Sequence, residues 1–136
     1  MNTIDRTAAA TTLLRVTSGA LLLTHGLIKL IVFTPAGTAG FFESIGFPGI
    51  AAYPVMAGEI GLGLAMILGI HSRLAALAAL PILLGSIIPH AGNGFTFSNA
   101  GGGWEFPVFW SIVLVVQALL GDGAYALRGR QQPAQS

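Results

Sequence analysis

Four apolar runs, most of them long enough to cross a bilayer, constrain this chain more than any other feature. They cover residues 12–33, 50–70, 74–89 and 104–125, each bounded by glycine, proline or charge. A spanning helix needs about 20 residues, with a range of about 17–25. The first, second and fourth runs meet that length. The third is short and carries Pro81, but without it the basic residues would fall on both sides of the membrane. Only 8% of the residues are charged, against about 25% in a soluble domain, so a water-soluble fold would lack the polar surface to cover itself. Mean hydropathy is +0.78. The fold class is therefore all-α: an integral membrane four-helix transmembrane bundle over residues 1–127, with a polar tail at 128–136. The first run is too long for the apolar core of a cleaved leader and contains His25 and Lys29, so it reads as a span.

The basic residues set a direction. Four spans put Arg6, Arg15, Arg73, Arg128 and Arg130 on one side and only Lys29 toward the other. Basic flanks stay cytoplasmic, so both termini and the His71–Ser72–Arg73 turn are expected inside. The aromatic residues Phe41, Phe42, Phe47, Tyr53, Phe95, Phe97, Trp104 and Phe106 gather at the opposite interface. Loop 34–49 is apolar yet too broken to span, and is expected to lie on the outer interface with a short helix around 41–45. Loop 91–103, rich in glycine and asparagine, is expected to be mobile or held by partners. Arg15 reads as a topology anchor or lipid-phosphate contact, and His71 as a turn residue.

Composition also excludes function classes. A net charge of +1 with no basic cluster gives no footprint for nucleic acid. With no cysteine in the sequence, disulfides, cysteine-based zinc or iron–sulfur sites and a thiol relay within the chain are ruled out. Gly58, Gly61, Ala65 and Gly69 share one face of the second span, and Gly19 and Gly26 lie on the first; small residues of this kind let helices pack closely in a bilayer.

Chemistry concentrates in the outer half. Arg15, Ser18, Leu22, His25 and Lys29 recur at spacings of 3, 4, 3 and 4, which places them on one face of the first helix. Ionisable groups cannot comfortably face lipid, so that face turns to the bundle interior. His25 lies ~12 Å below the outer end of its helix and Glu59 ~13 Å below the start of the second, at matching depth for a rise of ~1.5 Å per residue. His90 closes the third span, Glu105 opens the fourth, and Asn93 follows in the loop. Glu59 and His25 are the candidates for proton handling; Lys29, His90, Asn93 and Glu105 are candidates for ligand binding. Structural roles stand beside these: Glu59 pairing with Lys29 or His25, Lys29 snorkelling outward, and His90 and Glu105 as interface residues. Two histidines and two carboxylates are enough donors for zinc or iron, but the Glu-x-x-His spacing of di-iron bundles is missing, and no metal is assigned. Burial and a neighbouring cation act in opposite directions on a carboxyl's proton affinity, which suits Glu59 to proton exchange. A quinone headgroup needs just such hydrogen-bonding groups at an apolar boundary.

These residues fall in recognisable strings. Leu13-Leu14-Arg15 is followed by Thr24-His25-Gly26-Leu27-Ile28-Lys29-Leu30, then by Phe41-Phe42-Glu43-Ser44-Ile45-Gly46-Phe47-Pro48. Ala57-Gly58-Glu59-Ile60-Gly61, Leu68-Gly69-Ile70 with Arg73, His90-Ala91-Gly92-Asn93-Gly94-Phe95 and Gly102-Gly103-Trp104-Glu105 complete the series. In order and spacing the chain resembles the DoxX family of small bacterial four-helix membrane proteins, over residues 13–127. The resemblance implies a multi-pass protein of the bacterial inner (plasma) membrane associated with redox systems. Members of that family include a membrane subunit of thiosulfate:quinone oxidoreductase and proteins linked to oxidative-stress and thiol-related complexes; the lack of cysteine speaks against thiol exchange here. The leading expectation is a redox-associated subunit, in the lipid bilayer, that binds a quinone or small polar substrate and works with a redox-enzyme partner or a second copy of itself. The alternatives are a non-catalytic scaffold or assembly partner and, for an oligomer, a small permease.

Overall fold

A computed structural model describes residues 5–127; the expected tail at 128–136, with Arg128 and Arg130, lies outside the described residues. The protein is all-helical. Helix α1 spans Arg6–Leu27 and runs on as a π-helical segment, Ile28–Val32. A short α2 (Pro35–Ser44) leads through a 3-10 turn (Gly49–Ala51) into α3 (Ala52–Leu68). Helices α4 (Ser72–Ala91) and α5 (Glu105–Leu120) complete the chain. α1 packs on α3, α3 on α4, α4 on α5 and α5 back on α1, so the four long helices close a ring. α1 with its π continuation, α3 with its 3-10 turn, and α4 are each long and apolar enough to cross a membrane; α5 is a shorter apolar helix of 16 residues.

The boundaries depart from expectation for local reasons. α1 begins at Arg6 rather than near residue 12, because the Asp5 carboxylate caps Thr7 N–H at 2.9 Å and the following alanines favour helix without being lipophilic enough to mark a span. The short helix is the fourth, not the third. α4 runs 20 residues straight through Pro81, since neighbouring helices in a bilayer tolerate the proline break. α5 stops at Leu120 rather than near 125, because Gly121 and Gly123 take positive φ, conformations that a glycine adopts freely. The interfacial helix expected around 41–45 is the longer α2, begun by Pro35 behind Thr34.

Burial is inverted relative to a soluble protein. Leu13, Ile31, Leu74, Ile88, Phe109 and Leu119 lie exposed on the outside, while Arg15, Ser18, Glu59, Ser72, Ser111 and Gln117 are buried. That is the pattern of a protein whose solvent is hydrocarbon. The core between the helices is Leu22, Met66, Ala75, Ala76, Ala79, Leu83, Trp110, Leu114 and Ala118.

Glycine decides how closely α1 meets α3. A Cβ on Gly19 would lie 2.7 Å from the Gly63 carbonyl oxygen, and one on Gly63 would lie 2.7 Å from Leu23 N. The expected glycine face on α3 is therefore corrected. Gly63 makes the contact, Gly58 faces Ile82 of α4, Gly61 meets nothing within 4 Å, and Gly69 ends the helix in the left-handed conformation at φ 73°.

Arg15 is also corrected. It is 1% exposed and is neither an anchor nor a lipid contact. Its Nη1 donates to the carbonyls of Met66 (2.8 Å) and Ile67 (3.0 Å), and its Nη2 to that of Ala124 (3.2 Å). The last carbonyls of a helix lack partners of their own and carry its negative end, and the planar guanidinium suits several acceptors at once. The same clasp holds segment 121–127 across the helix ends. Thr12 Oγ1 also donates to Ala124 O (2.7 Å), Leu127 N to Leu68 O (3.0 Å), and Ser72 N to Asp122 Oδ1 (2.8 Å). His71, at positive φ, is an exposed turn residue.

Candidate functional site

The π segment positions Lys29. Widening the turn leaves Phe33 N–H bonded to Ile28 O, five residues back, at 3.0 Å, and such bulges in α-helices recur at functional sites. The buried Thr38 hydroxyl of α2 lies 3.2 Å from the Lys29 carbonyl and 2.9 Å from that of Thr34, so α2 is pinned beside the widened turn. Lys29 Nζ then reaches across to α3 and donates to Glu59 Oε1 at 2.9 Å.

Glu59 is 5% exposed. It lies against α1 at Gly26, where an added Cβ would stand 3.0 Å from Glu59 Cβ and 2.7 Å from Ile60 Cγ1. Glycine at 26 is thus what allows the carboxylate into the bundle. One carboxylate oxygen is held by Lys29; the other, Oε2, is buried with no hydrogen-bond partner. Buried polar atoms are nearly always paired; among the described residues Arg15 Nε, Ser72 Oγ, Trp110 Nε1 and Gln117 Oε1 are also buried without a partner.

His25 neighbours Gly26 in sequence and lies within electrostatic range of Glu59. Its Nδ1 is 2.8 Å from Leu21 O. A carbonyl only accepts, so Nδ1 carries the proton and Nε2 of the neutral ring is left as an acceptor. The imidazole packs on Trp110 of α5, with centroids 5.2 Å apart. Trp110 is itself 5% exposed, and its Nε1 is likewise buried without a partner. Trp110 was not among the candidates read from the sequence. Its signal was a tryptophan in mid-span, one turn beyond Phe106, rather than at the interface where tryptophan belongs.

His90, Asn93 and Glu105 are brought together elsewhere, by the loop between α4 and α5. His90 Nδ1 lies 2.8 Å from Gly102 O, and Asn93 Nδ2 donates to the same oxygen at 3.0 Å. Glu105 Oε1 accepts from Phe97 N at 3.1 Å. Backbone bonds from Gly103 N to Thr96 O (3.1 Å), Trp104 N to Gly94 O (3.0 Å) and Glu105 N to Phe95 O (3.1 Å) complete the lacing. The loop expected to be mobile or partner-held is thus held by its own chain. The ionisable set from four helices is two groups: Lys29, Glu59 and His25 within the bundle, and His90, Asn93 and Glu105 at the loop. A row of rings joins them, His25–Trp110 (5.2 Å), Trp110–Phe106 (5.7 Å), Phe106–Phe97 (5.4 Å) and Phe97–His90 (5.7 Å). Among the described residues, no group of three or more His, Asp or Glu is placed to hold a metal ion.

Helices that turn their polar groups inward around an enclosed ammonium–carboxylate pair, with apolar side chains facing outward, define a small multi-pass membrane protein. The chain belongs to the DoxX family, whose profile matches residues 10–92, from α1 through α4 and including His25, Lys29, Glu59 and His90. It is similar to a protein of Bacillus subtilis (strain 168) named "Putative oxidoreductase CatD", with 37% identity over 117 residues, 86% of this chain and 83% of that one. No solved structure matches the chain.

Proposed function

We propose that the protein is a redox-associated subunit of the bacterial inner membrane that binds a small polar or quinone-type ligand between α1, α3 and α5. The observation that carries this reading is the Glu59 carboxylate, one oxygen tied to Lys29 and the other buried without a partner. In this reading Glu59 and His25 exchange protons with the ligand, while Lys29 supplies the positive charge that keeps the buried carboxylate tolerable. His90, Asn93 and Glu105 fasten the loop whose aromatic residues continue the row from Trp110. The relative named as an oxidoreductase supports the redox assignment. Arg6 and Arg73 at one end of the bundle support an orientation with that end in the cytoplasm, and with it a site in the outer half.

The test is binding and complementation together. Purified protein is expected to bind a quinone-type probe saturably. A Glu59→Gln variant, folded and inserted at normal levels, is expected to lose the redox phenotype that the wild-type gene restores to a deletion strain. A silent Glu59→Gln, with no binding by the wild-type protein, overturns the reading and favours a scaffold role.

A further inference from the structure

The π turn at the end of α1 takes from the Lys29 carbonyl its ordinary partner. In an α-helix that oxygen accepts from the N–H four residues on, which is Phe33; here Phe33 N–H goes to Ile28 O at 3.0 Å. The Thr38 hydroxyl of α2 stands in, 3.2 Å from Lys29 O. It is free to do so although Thr34 O lies 2.9 Å away, because Thr34 O already accepts from Thr38 N–H at 2.9 Å. A side-chain hydroxyl thus holds a backbone register, and the widened turn is the one that carries Lys29, whose ammonium meets Glu59.

α2 itself is lightly held. Thr38 is its one buried residue, at 3% exposure, while Phe41 is 57% exposed. Unusual backbone lies at both of its ends. Thr34, before Pro35, has φ 66° and ψ 157°, a region that is essentially glycine's and persists only where the surroundings enforce it. Gly46, beyond Ser44, has φ 91°, and an added Cβ there would meet nothing within 4 Å. Segments with few buried contacts are the ones that open first. We infer that α2 is a latch on the Lys29–Glu59 pair. Seated, its Thr38 hydroxyl keeps the turn in the π register and Lys29 on Glu59. Lifted, it lets Phe33 N–H return to Lys29 O, the turn narrows by one residue and the ammonium leaves the carboxylate. Thr38 is then a positioning residue that acts through Lys29. An exposed helix thereby governs a charge pair within the bundle, whatever ligand that pair meets.

Lys29 is the only lysine of the sequence, so acetylation of its side chain reads the state of the pair directly. The experiment uses the full chain in nanodiscs, with a water-soluble acetylating reagent and mass spectrometry to time the modification of Lys29. Thr38→Val, which keeps the shape and removes the hydroxyl, is expected to speed acetylation about fivefold, the factor that one net hydrogen bond allows. Thr38→Ser is expected to restore the wild-type rate. Thr34→Gly relieves the strained backbone of the seated form and is expected to slow acetylation, an effect that loss of structure cannot imitate. Coupling is reciprocal, so Glu59→Gln should speed amide exchange over residues 35–44 by a similar factor while exchange over residues 94–104 stays as it was. A wild-type rate in Thr38→Val overturns the latch. So does failure of serine to rescue, which would assign Thr38 a packing role, and so does faster acetylation in Thr34→Gly. If Thr38→Val fails to fold, the Glu59→Gln arm decides: unchanged exchange in α2 overturns the coupling.

Discussion

Lys29 Nζ and Glu59 Oε1 stand 2.9 Å apart, and this single contact ties the π-helical end of α1 to the middle of the membrane-spanning α3. Each partner makes the other tolerable. Lys29 is 22% exposed at its side chain and Glu59 7%, so water screens the pair little on the carboxylate side.

The pair predicts a non-additive double-mutant cycle. Lys29→Met alone leaves a buried carboxylate uncompensated and should destabilise the protein by about 3–5 kcal/mol. Lys29→Met combined with Glu59→Leu removes both charges and should recover most of that loss. Thermal unfolding in a fixed detergent measures it; additive losses would show that the two residues do not depend on each other.

Close approach of α1 and α3 predicts opposite results at two nearby glycines. Gly63→Ala drives a Cβ into the backbone of Leu23 and Gly19 and should cost about 1–3 kcal/mol or more, since rigid backbone cannot yield. Gly61→Ala enters open space and should be neutral or stabilise by about 0.5–1 kcal/mol through helix propensity. Unfolding midpoints of the two variants, compared under identical conditions, check the contrast.

Arg15 predicts a failed conservative substitution. Its two terminal nitrogens reach carbonyls on α3 and on the 121–127 segment at once. Lysine offers one compact ammonium without that fork, so Arg15→Lys should lower stability by roughly 2–3 kcal/mol and release the segment. Limited proteolysis should then cut between residues 121 and 127 faster than in the wild type. Unchanged cleavage would show that the strap is held without the guanidinium.

His90 predicts a local effect. Replacing it with phenylalanine keeps a ring against Phe97 but removes the bond to Gly102 O. Amide exchange at residues 94–104 should accelerate by roughly five- to tenfold, the factor that ~1–1.4 kcal/mol of lost hydrogen bonding allows, while exchange in α3 stays as it was. Faster exchange in α3 as well would mean that His90 supports the bundle rather than the loop.

Much of this molecule was legible along the chain. An apolar run reports its solvent directly, because every backbone polar group in hydrocarbon must bond within its own helix. The spacing of Arg15, Ser18, Leu22, His25 and Lys29 likewise declared an inward face, and burial of Arg15, Ser18 and Leu22 follows it. Depth arithmetic put His25 and Glu59 level, and Gly26 meets Glu59 Cβ in the structure. Periodicity and rise are local properties, so they survive without knowledge of the partner helices.

What the tertiary structure alone decided is who meets whom. Sequence offered Lys29 or His25 as the partner of Glu59; a π turn, a feature of hydrogen-bond register with no residue signature, delivered Lys29. Sequence pooled His90, Asn93 and Glu105 with Glu59 because they share a depth, but depth carries no azimuth, and the loop claimed all three. Arg15 looked like an anchor until the end of α3 and the 121–127 segment converged on it. Trp110 went unnoticed because an apolar ring in an apolar span is ordinary; only its burial beside His25 with an unpaired N–H sets it apart. The sequence by itself determined that this chain lives in a membrane and turns its charges inward. Which charges meet, and which buried polar atoms are left without a partner, depends on helix rotation and register, which long-range packing sets.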